Sequence, residues 1–105
     1  MTTDNDTVEK ILYLCEDEDG FFIQLRLHMQ FNVAQYEEIR DAFLRYLKEL
    51  GDEPMINRRV ARFLLDMLAA LEGSAHHMNL RDHPDTRKVQ HAHAEMLDIT
   101  YKLLP

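Results

Sequence analysis

One segment of the sequence constrains the fold more than any other, because apolar and polar residues alternate along residues 21–31. Every second position is apolar, and of the positions between them only Phe22 breaks the alternation. The alternating apolar residues are Phe21, Ile23, Leu25, Leu27, Met29 and Phe31. Period-two alternation is typical of a β-strand with one buried and one solvated face. The segment therefore predicts a strand, which needs a neighbour for its backbone N–H and C=O groups.

Residues 9–15 are the only nearby partner for such a strand. The acidic residues 16–19 would form the loop, and Gly20 can adopt the positive φ that hairpin loops often require. A helix is the alternative, because Asp6 and Glu9 resemble a capping box. The apolar residues with helical spacing in that alternative are Val8, Ile11, Leu12 and Cys15. We prefer the hairpin, because the helix would leave the strand at 21–31 without a partner.

From residue 32 onwards the sequence predicts three amphipathic helices. The first follows Asn32 as N-cap, the second extends from Pro54 to Gly73, and the third begins at Pro84 after a loop at residues 74–83. The expected buried stripes are Tyr36, Ile39, Phe43, Leu47 and Leu50 in the first helix, Ile56, Val60, Phe63, Leu64, Met67, Leu68 and Leu71 in the second, and Val89, Ala92, Met96, Ile99 and Leu103 in the third. Because the link between the first two helices is short, they should form an antiparallel αα-hairpin.

The predicted fold class is therefore α+β, with an N-terminal β-hairpin followed by an αα-hairpin and a C-terminal helix. A length of 105 residues favours a single domain over residues 1–105. Residues 1–6 are expected to be disordered. An isolated two-stranded hairpin is marginally stable in water, so the hairpin must lie on the helices or pair with another chain.

The charge of −7 is concentrated at one end of the chain. Residues 1–20 contain seven acids and one base, or −6, which leaves 12 acids and 11 bases, or −1, for the rest. An acidic protein repels phosphate backbones, so we expect no direct nucleic-acid binding. No apolar run approaches the roughly 20 residues that span a bilayer, so we expect no membrane partner. The absence of a secretory signal pattern and the single cysteine favour the cytoplasm.

Five of the six histidines lie between residues 76 and 93, which raises the possibility of a metal site. We expect no bound metal or other cofactor, because only His91 and Glu95 have the i,i+4 spacing of helical ligands. The candidate ligands, if a metal binds, are His76, His77, His83, His91 and Glu95. Cys15 lies in an apolar run beside acids, so its thiol should be inert. A basic cluster at Arg58, Arg59 and Arg62 should be neutralised by nearby acids.

These features favour a small cytoplasmic protein-binding or regulatory module without catalytic activity, such as an adaptor, an inhibitor or an immunity-type protein. The alternatives are a histidine-based metal-binding protein and an acidic nucleic-acid mimic. The candidate partner-binding residues are Glu16, Asp17, Glu18 and Asp19 in the acidic loop, and Leu27, Met29 and Phe31 on the strand edge. An unpaired edge carrying such residues needs a cover, so we also expect a homodimer.

Overall fold

The computed structural model describes residues 3–16, 20–53 and 55–104 and shows five helices among them. Their bounds are α1 Thr3–Glu16, α2 Phe21–His28, α3 Val33–Leu50, α4 Arg58–Leu80 and α5 Thr86–Leu103. These residues contain no strand, so the predicted α+β class with an N-terminal β-hairpin is wrong and the described chain is all-helical. Residues 1 and 2 lie outside the described residues, and the disorder expected for residues 1–6 stays a prediction. None of the described helices is both long and apolar enough to cross a membrane.

Most of the alternating segment at residues 21–31 forms helix α2. When every second residue is apolar, apolar residues also recur four positions apart, which is a helical spacing. Phe21 and Leu25 belong to that set and are buried. Met29 follows one turn later and ends the helix in the left-handed region with φ of 51°. Among these residues only Ile23 is β-branched, and leucine, glutamine and arginine favour helices. The apolar alternation was therefore compatible with either structure, and the residue types favoured the helix.

Helix α1 realises the alternative that the sequence left open for residues 7–16. Thr7, Ile11 and Cys15 have i,i+4 spacing and are buried. The hydroxyl of Thr7 donates to the carboxylate of Glu49 at the end of α3, at 2.6 and 2.9 Å from the two oxygens. Because α1 already begins at Thr3, Asp6 and Glu9 lie inside the helix and do not form its capping box.

Helices α3 and α5 form where the sequence predicts them. The Oδ1 atom of Asn32 accepts a hydrogen bond from the backbone N–H of Gln35 at 3.0 Å, as expected for an N-cap. The Oε1 atom of Gln35 is buried without a hydrogen-bond partner, so the reciprocal half of a capping box is missing. All five residues of the predicted α5 stripe, Val89, Ala92, Met96, Ile99 and Leu103, are buried.

Helix α4 differs from the prediction at both ends. It begins at Arg58, where Asn57 Oδ1 accepts from the backbone N–H groups of Arg59 and Val60 at 2.9 and 3.2 Å. It continues through Gly73 to Leu80, so the predicted loop at 74–83 is largely helical. The cause is the apolar stripe, which continues for two turns beyond Leu71 through the buried residues Ser74, Ala75 and Met78.

The αα-hairpin of the fold is α4–α5 rather than the predicted α3–α4 pair. Helices α4 and α5 pack extensively and are joined by residues 81–85, whereas α3 and α4 share at most a marginal contact. The connection between α3 and α4 covers residues 51–57 and is longer than predicted, so the premise of a short link, on which the α3–α4 hairpin was predicted, does not hold. Helix α3 instead packs on α1 and α5, α1 also contacts α4, and the short α2 lies on α4 and α1. One apolar core joins all five helices.

Candidate interaction surfaces

The histidines do not converge on one point. His76 and His77 lie on α4 instead of the predicted loop, are exposed, and have ring centroids 5.9 Å apart. His83 lies in the α4–α5 turn, where its Nδ1 accepts a hydrogen bond from the backbone N–H of Asp85 at 3.0 Å. Within the described ranges, no three histidine, cysteine, aspartate or glutamate side chains could hold a metal ion together. The geometry therefore offers no ligand set around these residues.

Glu95 on α5 accepts from side chains on two helices. Its Oε1 accepts a hydrogen bond from the Tyr36 hydroxyl at 2.9 Å and lies 3.8 Å from Nε2 of His91. Its Oε2 lies 3.6 Å from the guanidinium of Arg40, which also sits 5.8 Å above the centre of the Tyr36 ring. Burial and the hydrogen bond to Glu95 raise the pKa of Tyr36 above its ordinary value of 10.0, so its hydroxyl stays a donor well into the alkaline range. The cluster joins α3 to α5 and contains no serine, threonine, cysteine or lysine.

A cleft of about 360 Å³ opens beside this cluster between α3 and α5. Phe31 lines it and packs against Phe21 and Tyr36 with ring centroids 5.7 and 5.5 Å away. Charges of both signs, from Glu37 and Lys88, surround the cleft and give it no preference for an anion or a cation. Phe31 and Met29 are half-buried against the core. Since the described chain has no strand, neither residue lies on the predicted strand edge.

A groove of about 380 Å³ lies between α1, α2 and α4. We call it the α2 groove and define it by its lining residues, which are Cys15, Phe22, Arg26, Phe63, Asp66, Ala69 and Ala70. Two aromatic rings and two alanines make much of its wall apolar. Arg26 and Asp66 are exposed, and neither makes an ion pair with any residue that the structure describes. The groove therefore combines an apolar wall with one unpaired base and one unpaired acid.

The Cys15 thiol at the α2 groove is buried and a weak nucleophile. Burial, followed by the charges of Asp66 and Glu16, raises the pKa of Cys15 from its ordinary 9.0 to about 12. Because the thiolate is the nucleophile, each unit of pKa lowers the reactive fraction tenfold at a fixed pH. The groove therefore has no activated nucleophile.

We expect iodoacetamide at pH 8 to alkylate Cys15 in the folded protein about 10³-fold more slowly than in the urea-unfolded protein, since the thiolate fraction falls by that factor. Mass spectrometry of timed samples measures both rates, and the unfolded chain is the internal control. A folded-state rate within tenfold of the unfolded rate would show that α1 and α4 do not bury this thiol.

The outer side of α2 carries exposed apolar side chains. Phe21 and Leu25 face the core, and Ile23 and Leu27 are displaced from them by roughly 200° at 100° per residue. Leu27 is 70% exposed, and Ile23 is also exposed. We call Ile23 and Leu27 the α2 ridge. It lies directly beside the α2 groove, because Phe22 and Arg26 are on the same short helix.

A second apolar surface follows the α4–α5 pair. Leu65, Tyr101 and Leu104 are exposed, and Leu68 on α4 lies on the same flank as Leu65. Leu65 and Tyr101 are equally far from the turn at 81–85, so the antiparallel helices place them at the same level. Both side chains are exposed, so they lie outside the buried contact between the two helices. Leu97 is half-buried and precedes Tyr101 by one turn of α5. We call the surface that carries Leu65, Leu68, Leu97, Tyr101 and Leu104 the α4–α5 face.

The start of α4 places free arginines at one end of this face. Arg59 forms an ion pair with Glu16, one of the candidate partner-binding residues. Arg58 and Arg62 are exposed and pair with no acid in the described part of the chain, so the predicted neutralisation holds for Arg59 alone. The other acidic-loop candidates, Asp17, Glu18 and Asp19, lie outside the described residues.

Comparisons of the chain with protein-family models, with curated proteins and with solved structures found no match. The surfaces themselves are therefore the only guide to what the chain binds. Sequence reasoning missed the α2 groove, whose walls come from three helices. Its one signal was Phe22, the residue that breaks the alternation and lies one helical turn from Arg26. Leu27 was predicted to lie on an unpaired strand edge. It is exposed because it lies on the outer side of helix α2.

Proposed function

We propose that this chain is a non-catalytic protein-binding module that docks an amphipathic helix with an acidic flank on the α4–α5 face. The observation that carries the proposal is the exposure of Leu65 and Tyr101, at 53% and 69%, at the same level of two antiparallel helices. Exposed apolar side chains that are contiguous mark interaction sites more often than scattered ones do. An adaptor or an inhibitor would use such a face.

The shape of the face favours a helix as the partner. Two antiparallel helices leave a shallow furrow along their seam, and a third helix can place an apolar stripe in it with i,i+3 and i,i+4 anchors. Both helices offer large apolar side chains to such a partner, Leu65 and Leu68 on α4 and Leu97 and Tyr101 on α5.

The charge of the partner follows from Arg58 and Arg62. These side chains are exposed and unpaired among the described residues, although the protein as a whole is acidic, with a net charge of −7. An acidic flank on the partner helix would meet these two guanidinium groups, while a basic flank would be repelled. Such rim charges act mainly on association rate and on specificity.

The test uses a fluorescein-labelled helical peptide. It carries leucine at positions i, i+3, i+4 and i+7, which share one face, and glutamate on the other faces. Fluorescence anisotropy should show saturable binding to the protein. Tyr101→Glu should raise the dissociation constant at least tenfold, which corresponds to about 1.4 kcal/mol. Tyr13→Glu is the matched control, because Tyr13 is 75% exposed on α1, away from this face, and should leave binding unchanged.

A peptide with lysine in place of glutamate should bind more weakly, and the difference should shrink at high salt. The proposal fails if neither peptide binds saturably at millimolar protein, or if Tyr13→Glu and Tyr101→Glu weaken binding equally. Circular dichroism melting of both variants confirms that each is folded before binding is compared.

A further inference from the structure

The α2 ridge and the α2 groove lie side by side on one surface, which makes that surface complementary to a copy of itself. The ridge presents Ile23 and Leu27 outward, with Leu27 the more exposed. The groove beside it is walled by Phe22 and Phe63 and has a volume of about 380 Å³. A twofold axis places the ridge of each copy against the groove of the other, so that both contacts form at once.

The charges on this surface are also self-complementary. Arg26 and Asp66 line the same groove, and neither is paired within the described ranges. A twofold axis turns one unpaired base and one unpaired acid into two intermolecular ion pairs, each from Arg26 of one copy to Asp66 of the other. A groove with two bases or two acids would instead repel its copy.

We propose that the chain forms a twofold homodimer through α2, in which the Ile23–Leu27 ridge of each copy occupies the α2 groove of its partner. The strand edge that motivated a homodimer from the sequence does not exist in the described chain, and the dimer proposed here uses a helix. On α4 the groove residues Phe63 and Ala70 lie on the flank away from Leu65, and Ala69, one turn after Leu65, lies at the groove's edge nearest to the α4–α5 face. The dimer uses residues other than those of the α4–α5 face, so it stands independently of the proposed function.

The test is the mass of the folded protein by multi-angle light scattering at tens of micromolar. We expect about 25 kDa, twice the chain mass of 12.4 kDa. Reversing one charge should place like charges together in the interface. Arg26→Asp and Asp66→Arg are each expected to raise the dissociation constant of the dimer at least tenfold. The double variant, with both charges exchanged, should restore the dimer.

Arg87→Asp is the matched control, because Arg87 at the start of α5 is exposed and unpaired among the described residues and does not line the groove. It should keep the mass of the unmodified protein. Three results would overturn the proposal: a mass of 12.4 kDa at every concentration, a double variant that melts normally but stays monomeric, or a mass that grows without limit as concentration rises. The last would indicate an open assembly rather than a closed pair.

Discussion

Leu25→Lys is expected to lower the free energy of unfolding by roughly 3–5 kcal/mol, because it places a charge inside the apolar core. Leu25 is 1% exposed and packs with Phe21 beneath α2. Leu27→Lys is expected to change the free energy of unfolding by no more than about 0.5 kcal/mol, since its side chain projects into solvent near a helix C-terminus, where a cation is favourable.

Urea unfolding followed by circular dichroism measures both changes, at dilutions where light scattering shows a monomer. A strand with alternate buried residues predicts large losses at both positions, because Leu25 and Leu27 would share its buried face. Equal losses at the two positions would therefore contradict the helix. Leu27→Lys serves as the matched control, since it makes the same chemical change two residues away.

Ile11→Ala is expected to cost roughly 2–4 kcal/mol, because it leaves a cavity in the core that neighbouring helices fill only in part. Ile11 is fully buried on α1, between Thr7 and Cys15. Tyr13→Ala is expected to change stability by no more than about 0.5 kcal/mol, since Tyr13 projects away from the core.

Thermal and urea unfolding of the two variants discriminate between the two interpretations of residues 9–15. In a strand, Ile11 and Tyr13 would lie on the same face and both would be costly to truncate. In α1 they are about 200° apart. A Tyr13→Ala loss as large as that of Ile11→Ala would show that this segment is extended after all.

Helical stripes were predictable where the apolar residues match only the helical period. Val89, Ala92, Met96, Ile99 and Leu103 match period 3.6 and no other, and all five are buried. The N-cap at Asn32 was predictable for the same reason, because its side chain acts on backbone only three residues away.

The N-terminal third was not predictable from its apolar pattern. Residues 21–28 satisfy period two and also contain the i,i+4 pair Phe21 and Leu25, so the apolar pattern does not decide between them. Residue types and packing on α4 both favour the helix. A strand also requires a partner, and residues 9–15 were the only nearby segment that could supply one. That segment is helical, with Ile11 and Cys15 buried at i,i+4 spacing. The wrong strand and the wrong hairpin are thus one error, because each was inferred from the other.

The candidate surfaces depend on the relative placement of helices, which local patterns do not encode. The α2 groove needs α1, α2 and α4 together, and the α4–α5 face needs the knowledge that α4 pairs with α5. Extending α4 to Leu80 moved its turn to residues 81–85, and that shift sets Leu65 level with Tyr101. The two surfaces use different residues of α4, so a dimer of the proposed kind would carry two copies of the α4–α5 face.

The helical state of residues 21–28 is the claim on which the groove, the ridge and the dimer all depend. Nuclear Overhauser spectroscopy of the labelled protein tests it directly. A helix over these residues predicts strong sequential amide–amide contacts from Phe21 to His28 and contacts between the α-proton of residue i and the amide of residue i+3. Strong contacts from each α-proton to the next amide, together with cross-strand contacts to residues 11–15, would show a β-hairpin and contradict it.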